Sequence, residues 1–93
     1  MFVGTLRVEL LIPESYSLKD KRKVVRSVID RTRHRFRVAA AEVRENDLHN
    51  LAVLGFAYVS NDARHAQAVL TQVLEFLRNS PSALVGEHDL EIL

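Results

Sequence analysis

Two amphipathic stretches of helical period, set among four stretches of strand character in the order strand, helix, strand, strand, helix, strand, predict an α+β fold. With right-handed crossovers, that order builds a ferredoxin-like βαββαβ domain: a four-stranded antiparallel sheet with both helices on one face. Size is the third observation. Ninety-three residues suit one domain spanning 1–93, and a chain this short buries only about 60–65% of its unfolded surface, so most apolar faces must be used.

The first strand is read over Met1 to Ile12. Leu6, Val8, Leu10 and Ile12 fall on one side and Thr5, Arg7 and Glu9 on the other, the period of a half-buried strand, which Pro13 ends. Ser17 can then cap a helix, with Asp20 three residues on, favourable to the helix dipole. Leu18, Val25, Val28, Ile29, Thr32 and Phe36 recur on one stripe, while Lys19, Arg22, Lys23, Arg26, Asp30 and Arg33 take the opposite arc, so the helix runs to about Arg35. Arg37 to Glu45 suits a second strand, although Ala39-Ala40-Ala41 is a poor strand former. Asn46-Asp47 and His49-Asn50 mark a turn.

Leu51 to Ser60 is apolar on both faces, as a central strand should be. Val53, Gly55, Ala57 and Val59 form one set, and Leu54, Phe56 and Tyr58 the other; one of them must lie on the side the helices leave open. Asn61 or Asp62 caps a second helix with the stripe Ala66, Val69, Leu70, Val73, Leu74 and Leu77, and Asn79-Ser80-Pro81 stops it. A last strand, Leu84 to Leu93, alternates Glu87, Asp89 and Glu91 with His88, Leu90 and Ile92. Val25, Ile29, Val69, Val73 and Leu77 are expected between helices and sheet.

Composition narrows the function classes. Hydrophobic residues make up 47% and charged residues 27%, ordinary globular values, and there is no cysteine to form disulfides or thiolate metal sites. The opening apolar run is broken by Arg7 and Glu9, unlike a signal peptide, and no apolar stretch approaches the roughly 20 residues that cross a bilayer. A cytoplasmic protein without a membrane partner is expected. The net charge of +1 hides a segregation: Ser17 to Arg37 holds nine basic residues against Asp20 and Asp30, a balance of +7, and the remainder carries −6. Lys19, Lys21, Arg22, Lys23, Arg26 and Arg33 are therefore candidates for a phosphate-binding patch, able to displace counterions from a nucleic acid. The alternative is a solvated helix face whose arginines pair with acidic groups elsewhere on the molecule.

Ser17-Leu18-Lys19-Asp20-Lys21-Arg22-Lys23-Val24-Val25-Arg26, with Arg35-Phe36 and Ala41-Glu42-Val43, resembles the YlxP-like family of small bacterial proteins of unknown function. Ser17, Leu18, Lys19, Lys21, Arg22 and Glu42 match that family's recurring pattern. The resemblance implies a ferredoxin-like fold. Because members are encoded beside translation and ribosome-maturation factors, it also implies ribosome-linked work, and it implies no active site. Capping and packing explain Ser17 and Leu18; Lys19, Lys21 and Arg22 need another reason, and a binding surface is one.

Leu54-Gly55-Phe56-Ala57-Tyr58-Val59 and Met1-Phe2-Val3-Gly4-Thr5-Leu6 resemble the two consensus strings of the RNA-recognition motif, whose rings stack on bases. The longer string departs from it by Leu54 in place of a leading basic residue and Asn61 in place of a trailing aromatic. Phe2 also shares the inward parity of Leu6 unless a bulge near Gly4 switches faces. Phe56 and Tyr58 are the candidates for contact on the open sheet face, with RNA or with a second copy in a homodimer rimmed by Arg7, Glu9, Glu87 and Glu91. His34, His49, His65 and His88 lack metal-ligand spacing, and neither a glycine-rich phosphate loop nor a nucleophile elbow is present. No catalytic constellation, metal or cofactor is expected. The reading is a small binding module, RNA- or ribosome-associated through the basic face of the first helix, or alternatively a homodimeric structural or regulatory domain.

Overall fold

A computed structural model describes residues 1–45 and 47–93. Its elements are β1 (Phe2–Leu11), α1 (Leu18–Phe36), β2 (Ala39–Arg44), β3 (Leu51–Ser60), α2 (Ala63–Arg78) and β4 (Leu84–Ile92). The sheet is antiparallel in the order β2-β3-β1-β4, which places the two longest strands at its centre. This is the expected βαββαβ architecture. Of the expected turn, Asn46 lies outside the described residues, and Asp47, His49 and Asn50 lie in the β2–β3 loop.

Cap chemistry sets the helix ends. Ser17 has extended backbone angles and its hydroxyl accepts from the Asp20 N–H at 3.1 Å, while the Asp20 carboxylate accepts from the Tyr16 N–H at 3.2 Å. Arg37 closes α1 in the left-handed conformation (φ 56°), its N–H reaching the Arg33 carbonyl at 2.9 Å. That residue therefore belongs to the cap, and β2 starts two residues later than its apolar pattern suggests. Asp62 caps α2 by accepting from the Arg64 and His65 N–H groups.

Register decides which side of each strand is covered. Leu6 pairs with Phe56, Val8 with Leu54 and Leu10 with Ala52, and all six are buried beneath the helices. Pairing of β1 with β3 continues unbroken from Phe2 to Leu11, so no bulge near Gly4 exchanges faces. α2 packs on β1, β3 and β4; α1 lies over β2 and the flank of β3. Gly4 permits the close seating of α2, since a Cβ there would stand 2.7 Å from Leu70 Cδ1. The stripes behave as expected, with Val25, Val28, Leu70, Val73 and Leu77 buried and Ile29 and Val69 packed at the margin of the core. Among the described residues, no helix is long and apolar enough to cross a membrane.

Candidate nucleic-acid interface

The basic arc of α1 is a real surface, with one member removed. Lys19, Arg22, Lys23, Arg26 and Arg33 are all exposed. Among the described residues none of them has a carboxylate within 4 Å; the ion pairs there are Lys21–Glu42 and Arg78–Glu75. Arg33 is anchored by a hydrogen bond to the Ala40 carbonyl on β2. The others are unanchored, and they stack like charges at spacings of three and four along the helix, a repulsion worth a few tenths of a kcal/mol per pair. Three lysines near the helix N-terminus also oppose the macrodipole. Folding alone does not favour this arrangement. A polyanion laid along α1 would relieve it.

Lys21 does not belong to that patch. It is 1% exposed, on the buried stripe between Leu18 and Val25. Its ammonium lies 2.9 Å from Glu42 Oε2 and donates to the Glu45 carbonyl at 2.7 Å and the Leu51 carbonyl at 3.1 Å. The approach to Glu42 is an ion pair by distance without hydrogen-bond alignment; the aligned donations go to the two carbonyls. Lys21 thus ties the start of α1 to both ends of the β2–β3 loop. Two residues that carry the family resemblance, Lys21 and Glu42, meet here in a structural role. The signal was legible, since Lys21 follows Leu18 by three and precedes Val25 by four.

Phe56 and Tyr58 are corrected more fully. Both lie on the helix side, because they pair with Leu6 and Gly4 of β1. Phe56 is 2% exposed in the core, and Tyr58 packs against the core with its hydroxyl 3.1 Å from His65 Nε2 on α2. Neither ring can stack on a base or form a seam on the open face without dismantling the helix layer. Of the other set, Val53 is buried, and Gly55, Ala57 and Val59 lie on the open face with Thr5 and Arg7 of β1, Ala39, Ala41 and Val43 of β2, and Asp89 and Glu91 of β4. It holds a shallow depression of about 510 Å³ with a floor of small residues. Carboxylates along β4 make that face unsuited to phosphate.

Two further arginines belong to the basic surface. Arg31 and Arg35 are exposed on the flank of α1 that faces α2, and both guanidinium groups lie against the Phe76 ring, at 5.7 and 5.3 Å from its centroid. In the sequence they count only among the nine basic residues of Ser17 to Arg37, on neither the stripe nor the opposite arc, and only the packing of α2 supplies the ring. Among the described residues, no group of three or more histidines and carboxylates could hold a metal.

The family described as "Protein of unknown function (DUF503)" matches residues 3–89. The chain is 29% identical over 79 residues, 85% of its length, to the uncharacterized protein YlxP of Bacillus subtilis (strain 168), of which the match covers 86%. The fold is similar to the solution NMR structure of a de novo designed protein with a ferredoxin fold, with a TM-score of 0.63, 14% identity, and coverage of 98% of this chain and 86% of that one. The resemblance read from Ser17 to Arg26 and from Glu42 is thereby borne out.

Proposed function

Because the chain belongs to the DUF503 family of proteins of unknown function, we propose its function from its surface: a cytoplasmic module that binds RNA, ribosomal or precursor, by phosphate contacts on the outer face of α1. One observation carries the reading. Lys19, Arg22, Lys23 and Arg26 share an exposed helix face and have no carboxylate within 4 Å among the described residues. The alternative, a solvated face whose arginines pair with acidic groups elsewhere, calls for contacts to some of the twelve acidic residues. Here α1 itself carries only Asp20 and Asp30 among its many basic residues, and the other acids lie elsewhere in the fold, leaving a net positive potential along α1.

Binding to single-stranded RNA, measured across salt concentrations, tests this. Log affinity falls with log salt at a slope of about −0.7 per phosphate neutralised. Arg22→Glu with Arg26→Glu weakens binding sharply and leaves the urea midpoint near the native one, as exposed substitutions do. Undiminished binding by that double variant removes α1 as the site.

The homodimer is retained as a second reading on a different observation. The open sheet face exposes Val43 (50%) at its floor of small residues and Val59 (60%) farther along β3, and apolar area of that kind marks contact with another protein surface. A second copy fits because the face carries Arg7 and Arg44 alongside Glu9, Asp89 and Glu91, both signs on one surface. The helices lie on the other layer, so both readings can hold together.

A further inference from the structure

Between the outer flanks of α1 and α2 runs a cleft of about 440 Å³, bounded by Arg31, Arg35 and Phe36 on one side and by Gln72, Phe76 and Asn79 on the other. Its floor is unusual for a surface groove. Phe36 and Phe76 meet edge to face at 5.6 Å, and the Arg35 guanidinium carbon stands 5.3 Å from both ring centroids. Arg31 approaches Phe76 at 5.7 Å and donates from Nε to the Ser27 carbonyl at 3.3 Å, which leaves its terminal N–H groups without a partner among the described residues. Neither arginine has a carboxylate within 4 Å among the described residues, and Glu75 beside them is taken by Arg78 at 2.8 Å. Ser80 Oγ, at the end of the cleft, is buried with no hydrogen-bond partner among the described residues. Through Ser80 and Pro81 the cleft adjoins a second one that reaches Lys23. The seam therefore runs along α1 from Arg35 to Lys23, about 18 Å at the helical rise, beside the basic face.

We propose that this shelf of guanidinium groups on phenylalanine rings seats one unstacked base of a single-stranded RNA whose phosphates lie on Lys19, Lys23 and Arg26. The proposal rests on the RNA reading above and adds to it the class of RNA. The Arg31 and Arg35 guanidinium carbons lie 5.7 and 5.3 Å from the Phe76 ring centroid at the mouth of the cleft, and planar guanidinium faces stack on bases. The two side chains already lie against Phe76, and each rotamer held there in advance is freedom that binding does not lose. The uncommitted N–H groups can reach a flanking phosphate in the bidentate manner arginine favours. A duplex keeps its bases stacked inside and has none to offer, so the cleft selects single strands while the α1 face alone does not.

An abasic scan tests this. In an RNA octamer, one position at a time loses its base, and the affinity of the native protein falls about ten-fold when the missing base is the stacked one. Arg31→Lys with Arg35→Lys keeps the charge and removes the planes. It binds the intact octamer about ten-fold more weakly, shows no abasic penalty, keeps the native salt slope, and binds the corresponding duplex as the native protein does. An abasic penalty that persists in the lysine variant overturns the shelf, as does an equal loss for single strand and duplex. Native protein that binds the octamer with no abasic penalty overturns the shelf alone and leaves the α1 reading standing. Native protein that binds no RNA at low salt overturns both. The scan on the native chain needs no variant, so a misfolded substitution cannot shield the proposal.

Discussion

Lys21 ties the start of α1 to both ends of the β2–β3 loop. A buried ammonium is tolerable only if its protons are used, and here two aligned bonds go to backbone carbonyls and a carboxylate offsets the charge. Removing it leaves Glu42 without its counter-charge and two carbonyls without their donor. Lys21→Met, which keeps the length of the stem, should cost about 2–4 kcal/mol in urea denaturation. Adding Glu42→Leu should recover only part of that loss, because the Glu45 and Leu51 carbonyls still lack a partner. A Lys21→Met protein within about 0.5 kcal/mol of native would show that the loop is held by something else. RNA affinity of the folded fraction should not change, which separates this lysine from its exposed neighbours Lys19 and Lys23.

Elements meet most tightly where α2 crosses β1. The space over Gly4 is filled by Leu70, and Gly4→Ala sets a methyl against Leu70 Cδ1, an overpacking worth about 1–3 kcal/mol. Leu70→Ala alone should cost about 2–5 kcal/mol through the cavity it leaves. Combined, the two should cost less than their sum, since the new methyl enters the new cavity; strict additivity would mean that α2 is not seated as described. Elements of this kind were largely legible from sequence. The stripes of α1 and α2, the Ser17 and Asp62 caps and the extent of β3 follow from periods and cap residues that local physics dictates. What was not legible is the face of β3. Its two sides are both apolar, so alternation carries no sign, and only the register of Phe56 on Leu6 assigns Phe56 and Tyr58 to the helix side. The candidate site divides in the same way. Charge and period placed Lys19, Arg22, Lys23, Arg26 and Arg33 correctly on the outside, whereas Lys21 was misread because its charge was weighted above its place in the stripe.

Across the whole molecule, the sheet order sets the charge layout. α1 lies over β2 at one side and the carboxylates of β4 line the other, so the segregation seen along the chain becomes a segregation across the fold. The open face beneath both helices is then the remaining apolar surface, and its size bounds what it can do. Four strands about 4.8 Å apart and eight residues of about 3.3 Å give roughly 500 Å² per copy. Two copies would cover about 1,000 Å², the lower limit for a specific interface. The dimer should therefore be reversible and not an obligate pair. Sedimentation equilibrium from about 1 to 200 µM tests it. Ala41→Arg, which puts a long charged side chain on the small-residue floor, should give a monomer throughout while leaving the affinity for a short RNA untouched. Arg22→Glu with Arg26→Glu should do the reverse, keeping the dimer and losing the RNA. A long RNA, able to engage two α1 faces at once, should bind the native protein more tightly than the Ala41→Arg monomer, because the second contact is intramolecular. A native chain that remains monomeric at about 200 µM would sink the dimer. A dimer that survives Ala41→Arg would move its interface off the sheet.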